Sequence, residues 1–74
     1  MPKLRSAKPH EVKRVLEGLG FTCIRQSGSH AVYHHADGRW TTVPIHEGRD
    51  LGKGLLRKIL KDAKIDVSVF EKLR

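Results

Sequence analysis

Very little in this sequence can close it covalently or hold it in a membrane. There is one cysteine in 74 residues, so no internal disulfide can form. That residue, Cys23, falls within a strand-like run and reads as a small buried hydrophobe. No apolar stretch approaches the ~20 residues that a membrane-spanning helix needs. Residues 1–6 are basic but lack the apolar core of a signal peptide, so a cytoplasmic location is expected. Repeats and low-complexity tracts are absent. Aromatic residues are few: two phenylalanines, one tyrosine and one tryptophan. Acidic residues are also scarce, eight against fifteen lysines and arginines, leaving a formal charge of +7. The resulting pI near 10.1 points toward a polyanion or an acidic protein as partner, and a membrane surface is the weakest candidate.

The length fits one domain over residues 1–74. A chain this short buries only ~60% of its unfolded surface. It has little sequence to spare for a deep pocket, so any site should lie on an open surface.

Residues 1–7 read as a loose basic leader. A helix is expected over residues 8–20, because Val12, Val15, Leu16 and Leu19 fall on one stripe. Pro9 suits its first turn, either Ser6 or Lys8 precedes it, and Gly20 suits its left-handed exit. Residues 21–26, 30–35 and 39–43 carry strand patterns, joined by the turns at Ser27-Gly28-Ser29 and Asp37-Gly38. They form a three-strand meander over residues 21–44, with Pro44 at its end. A second helix is expected over residues 53–64, with Leu55, Leu56, Ile59, Leu60 and Ala63 inward. Gly52 and Gly54 argue against an earlier start. Asp66 can cap a short terminal turn over residues 67–73, with Phe70 docking on the core.

The predicted class is therefore α+β, in the order α-β-β-β-α plus a terminal helical turn. A three-stranded antiparallel sheet carries both helices on one face. Double-stranded-RNA-binding domains share this order, which on its own assigns no function.

Gly28-Ser29-His30 is the run that points to chemistry. An imidazole titrates near neutrality and can take a proton from a ribose 2′-OH. The plain alternative is a polar residue that merely starts a strand. Gly28 lets a phosphate approach the backbone, and Ser29 can donate to one, although both also serve a simple turn. His30 and His34 share a strand face. With His35 and His46 they raise a metal question, but carboxylate and cysteine partners at ligand spacing are missing, so no metal and no cofactor are expected. Arg25, Arg39, Lys53 and Arg57 are the candidate RNA-binding cations, with Lys53 near the positive end of the second helix. Lys58 and Lys61 read equally well as a solvated face. Tyr33 and Trp40 can stack on bases, but Tyr33 is favoured as core.

The ordered series Gly20-Phe21, Arg25-Gln26-Ser27-Gly28-Ser29-His30, Tyr33, Asp37-Gly38-Arg39, Val43-Pro44, His46, Gly48 and Leu51, followed by residues 56–63, resembles the HicA family of toxins. The resemblance runs over roughly residues 9–73. It implies a double-stranded-RNA-binding-like fold and a metal-independent endoribonuclease (an mRNA interferase) acting on messenger RNA. It also implies neutralisation by a HicB-like antitoxin: a monomer alone, a hetero-oligomer with that partner. The family's essential histidine corresponds to His30. Leu55 stands where the family often has Thr, and Lys64 where it often has Gly. The second departure is expected to change the helix exit. A noncatalytic double-stranded-RNA-binding module is the alternative reading of the same order and charge.

Overall fold

The apolar stripe near the N-terminus forms the first helix, α1 (Pro9–Gly18), which buries Val12, Val15 and Leu16. These elements come from a computed structural model that describes residues 4–45 and 48–74. Lys8, not Ser6, precedes α1, and its backbone N–H donates to Glu11 Oε1 at 3.0 Å. Gly20 leaves the helix at φ +97°, as a glycine exit requires.

Three strands follow: β1 (Thr22–Ser27), β2 (His30–His34) and β3 (Trp40–Pro44). They form an antiparallel sheet in the order β1-β2-β3. Then come α2 (Lys53–Ala63) and α3 (Val67–Leu73). Ala31, Tyr33 and Val43 point from the sheet into one core with Leu56, Ile59, Leu60, Ala63 and Phe70. Both helices therefore lie on a single face, as in a double-stranded-RNA-binding-like α+β fold. α2 begins at Lys53 as its glycines require, but Leu55 faces outward instead of joining the core.

The first strand departs from expectation. Both helices pack chiefly against β3, so β1 hangs past them and all six of its residues are exposed. Cys23 is consequently exposed, not buried. A register break between Cys23 and Arg25 leaves Ile24 as the extra residue of a bulge, 61% exposed.

Residues 4–7 are not loose either. Leu4 and Ala7 are buried, and Ala7 pairs with Leu51 in an antiparallel bridge. Arg74 secures this segment. Its Nε donates to Glu11 Oε2 at 3.1 Å, its Nη1 to Glu71 Oε1 at 2.7 Å, and its Nη2 to the Ser6 carbonyl at 2.8 Å. One guanidinium thus ties the leader, α1 and α3 together over the Phe70 ring. The Lys8 backbone N–H, and then Arg74, hold the Glu11 carboxyl below its ordinary 4.5. Arg74 first, and then Arg5, do the same for Glu71.

The exit from α2 is also informative. Lys64 adopts φ 56° and ψ 46°, the left-handed conformation a glycine would take. The Ile65 N–H returns to the Leu60 carbonyl at 2.9 Å, and Ile65 packs on the core. The departure from glycine leaves the shape of the exit intact and places the strain on the lysine.

Two outcomes test these points. Arg74→Met should cost about 2 kcal/mol in urea denaturation, because two carboxylates and a carbonyl lose their shared donor. The lowered Glu11 and Glu71 values add stability above pH 4.5 that is lost as pH falls through the folded-state values. In the variant the Glu71 share of that acid sensitivity should shrink to what Arg5 supplies, and the Glu11 share mainly to what the Lys8 N–H supplies. Lys64→Gly should stabilise the fold by about 1 kcal/mol by relieving the left-handed lysine. Thermal unfolding should show a midpoint several degrees higher, and a lower midpoint would contradict the strain.

Candidate functional site

The face of the sheet turned away from the helices is uncovered. Its rows follow from the register. Ser27, His30 and Pro44 lie side by side at one end; Arg25, Val32 and Thr42 form the middle; Thr22, His34 and Trp40 form the other end. His30 and His34 do share this face, but four strand residues separate them by ~13 Å, too far for a two-histidine acid–base pair.

His30 begins β2 and is exposed. Ser27 pairs with it across a two-residue loop, Gly28-Ser29. Gly28 has φ +59° while Ser29 stays at negative φ, the pattern of a turn with glycine at its first central position. A side chain at Gly28 would meet nothing within 4 Å, so the turn presents bare backbone to solvent. The Ser29 carbonyl accepts the Ile45 N–H, which pins the chain after β3 to the same turn. His30 is thereby held at the rim of the sheet by backbone geometry on both flanks.

The register also decides which cations accompany it. Arg25 is on the same face as Ser27 and so lies diagonally across from His30, ~7–8 Å away, within reach of a long side chain. Ser27, directly opposite the imidazole, reads in the sequence only as a turn and motif residue; the register makes it a neighbour of His30. Lys53 and Arg57 are exposed one turn apart on α2. Arg39 is different. It donates to Asp37 Oδ2 at 2.8 Å and to the Ala63 carbonyl at 2.7 Å, and lies over the Phe21 ring. It bolts the β2–β3 hairpin to the end of α2, at the opposite end of the sheet from His30.

The remaining candidates sort by burial. Tyr33 is core, 1% exposed, and burial pushes its phenol up to about 12. It is neither a stacking platform nor a base near neutral pH. Trp40 is 59% exposed beside His34 on the open face. His35 turns toward the hairpin, edge-on to Phe21, where its Nδ1 accepts the Asp37 N–H. His46 lies outside the described residues. Among the described residues, no three His, Cys, Asp or Glu side chains come together where a metal ion would sit. No helix among them is long and apolar enough to cross a membrane.

The family model for the HicA toxin of bacterial toxin–antitoxin systems matches residues 9–65. The chain belongs to the HicA toxin family. The match starts at the first residue of α1, takes in all three strands and the Gly28-Ser29 turn, and ends just past α2. A search of curated proteins finds no match. Membership gives the chain the role of toxin in a toxin–antitoxin pair. The HicA-matched span leaves out α3 and the leader, the two segments that Arg74 ties down.

Gly28→Ala should destabilise the protein by about 1–2 kcal/mol despite the open space, because the penalty comes from the positive φ and not from a clash. Urea denaturation of Gly28→Ala beside Gly28→Asn separates the two causes. Asparagine tolerates the left-handed region and should recover part of the loss.

Proposed function

We infer that this toxin is an endoribonuclease that cleaves messenger RNA in the cytoplasm without a metal ion, with His30 promoting attack by the ribose 2′-OH. The observation that carries the reading is an exposed imidazole at the rim of an uncovered, cation-bearing sheet face, in a member of the HicA family. In this scheme the imidazole takes the 2′-OH proton and O2′ attacks the adjacent phosphorus. The bond from phosphorus to the 5′ oxygen breaks, giving a 2′,3′-cyclic phosphate and, once that oxygen takes up a proton, a 5′-hydroxyl. Arg25 stabilises the charge that gathers on the phosphoryl oxygens. Gly28 and Ser29 give the phosphate access to the backbone at the turn. Lys53 and Arg57 hold more distant parts of the RNA by charge. Arg39, committed to the hairpin, acts on RNA only through the framework it holds.

One general base, with no acid partner for it within the Gly28-Ser29-His30 motif, implies modest turnover, since such catalysis is worth about 10²–10⁴-fold. That rate suits an enzyme whose damage accumulates over many transcripts. The reading takes residues 1–74 as one functional unit, monomeric alone and bound by a HicB-like antitoxin that covers the His30 rim.

The test is a long RNA incubated with wild type and His30→Ala, with chelator present. Wild type should cut it, leaving cyclic-phosphate ends. The variant should bind it and leave it intact, with the fold retained because His30 lies at the surface. Equal cleavage by both proteins removes His30 from the chemistry. Tight retention of duplex RNA with no cleavage by either identifies a noncatalytic double-stranded-RNA-binding module.

A further inference from the structure

Beside the turn that carries His30, on the helix side of the sheet, an open cleft of about 530 Å³ lies between three elements. Lys8 precedes α1, His10 and Lys13 come from its first turns, Gln26 from the end of β1, and Ile45 and Arg49 lie between β3 and α2. The volume is that of a small-ligand site. Pro9 and Ile45 give it an apolar floor, two lysines and an arginine surround it, and among the described residues Asp50 is the one carboxylate in its lining.

The charge of these residues is available. Elsewhere Arg5, Arg39, Lys58 and Arg74 pair with carboxylates inside the fold. Among the described residues, Lys8, Lys13 and Arg49 have no such pair, although they converge on one cavity. Glu11, the acid nearest in sequence to Lys8 and Lys13, accepts the Lys8 backbone N–H and is ion-paired with Arg74. Three cations facing one carboxylate leave a positive excess that repels itself, and an anion between them removes that cost.

The cleft is also joined to the His30 turn by the backbone. Ile45 follows Pro44, which pairs with His30, and its N–H binds the Ser29 carbonyl. Gln26 pairs with Ala31, the neighbour of His30. The lining therefore starts within about 7 Å of His30, backbone to backbone, around the end of the sheet.

We propose that this cleft is a second RNA subsite, which holds a backbone phosphate and its ribose from the same single strand that His30 cuts. The inference rests on the ribonuclease reading for what the strand is doing there. The phosphate sits among Lys8, Lys13 and Arg49, and the sugar lies on Pro9 and Ile45. The strand wraps the end of the sheet, so that gripping one phosphate in the cleft sets the next segment against His30. An acidic protein segment would satisfy the charges but has less use for a nucleotide-sized cavity with an apolar floor.

The experiment compares two proteins of equal net charge in the His30→Ala background, where RNA stays whole. One carries Lys8→Ala, Lys13→Ala and Arg49→Ala. The other carries Arg14→Ala, Lys61→Ala and Lys72→Ala, all exposed residues outside the cleft. Binding of a labelled single-stranded oligonucleotide is followed by anisotropy over a salt series. The cleft variant should bind about tenfold more weakly than the matched control, with a log K against log salt slope shallower by about 0.7, the loss of one phosphate contact on a single strand. In the His30→Ala protein with no further change, RNA should shield Lys8 and Lys13 from amine acylation. Equal affinity and slope in the two variants, or unshielded lysines, overturn the proposal. So does a cleft variant that keeps RNA affinity and loses only antitoxin binding. If protein with His30 intact cuts no RNA, the ribonuclease reading fails separately, while the binding comparison still decides whether the cleft holds RNA.

Discussion

A sheet of three strands has two faces, and this chain has helices for only one of them. The core formed by Tyr33, Val43, Leu56, Ile59 and Phe70 uses the inner face of β2 and β3. β1 is left overhanging, and the outer face is left to water. That imbalance sets the character of the molecule. A polar side chain that alternates outward, such as His30, is displayed on a rigid strand and presented at the surface by the same pleat that buries Ala31 beside it. The overhang has a second effect. Because β1 contributes almost nothing to the core, its residues are free to be polar, and Arg25 and Ser27 sit beside His30 at no cost in packing.

The cations divide by task. Arg39 and Arg74 work as fasteners: each makes several directed bonds and covers an aromatic ring, and each joins segments far apart in sequence. A planar guanidinium with donors in a fixed fork suits that use. Most of the lysines stay outside such networks. In a chain of net charge +7, the fasteners consume acidic residues and so sharpen the excess elsewhere. Glu11 and Glu71 are both held by Arg74 and Asp37 by Arg39, so five of the eight acidic residues remain against the thirteen other lysines and arginines. Folding and recognition are thus coupled through the carboxylates: what stabilises the fold also leaves its surface positive.

How much of this was legible in the sequence depends on the physical range of each signal. Element order, the α2 start at Lys53 and the docking of Phe70 could be read because stripes and glycines act over a few residues. The exposure of Cys23 could not, because local alternation does not say how far the helices reach across the sheet. The leader looked loose for the same reason. Its anchors, Leu51 and Arg74, are more than forty residues away in sequence. Lys64 is the opposite case: the residue type argued for a changed exit, and the packing of Ile65 enforced the left-handed one regardless. At the site, the resemblance pointed to His30, and spacing alone placed it at a strand start. That Arg25 and Ser27 accompany it while Arg39 does not is a matter of register, which pairing fixes and sequence does not.

An open face that carries the proposed catalytic group has a consequence for control. Enzymes that close a lid over substrate can regulate themselves through the lid. Here His30 stands on a strand, the turn beside it is two residues long, and the strand's other face is locked into the core. Nothing in that arrangement offers a closed state in which His30 is withdrawn by a movement of β2 alone, because shifting the strand by one residue would turn Ala31 and Tyr33 out of the core. An activity built on a fixed, exposed group must be switched by a second molecule that occupies the face. A toxin held in check by an antitoxin is that solution, and it fits a sheet face that none of the described helices covers.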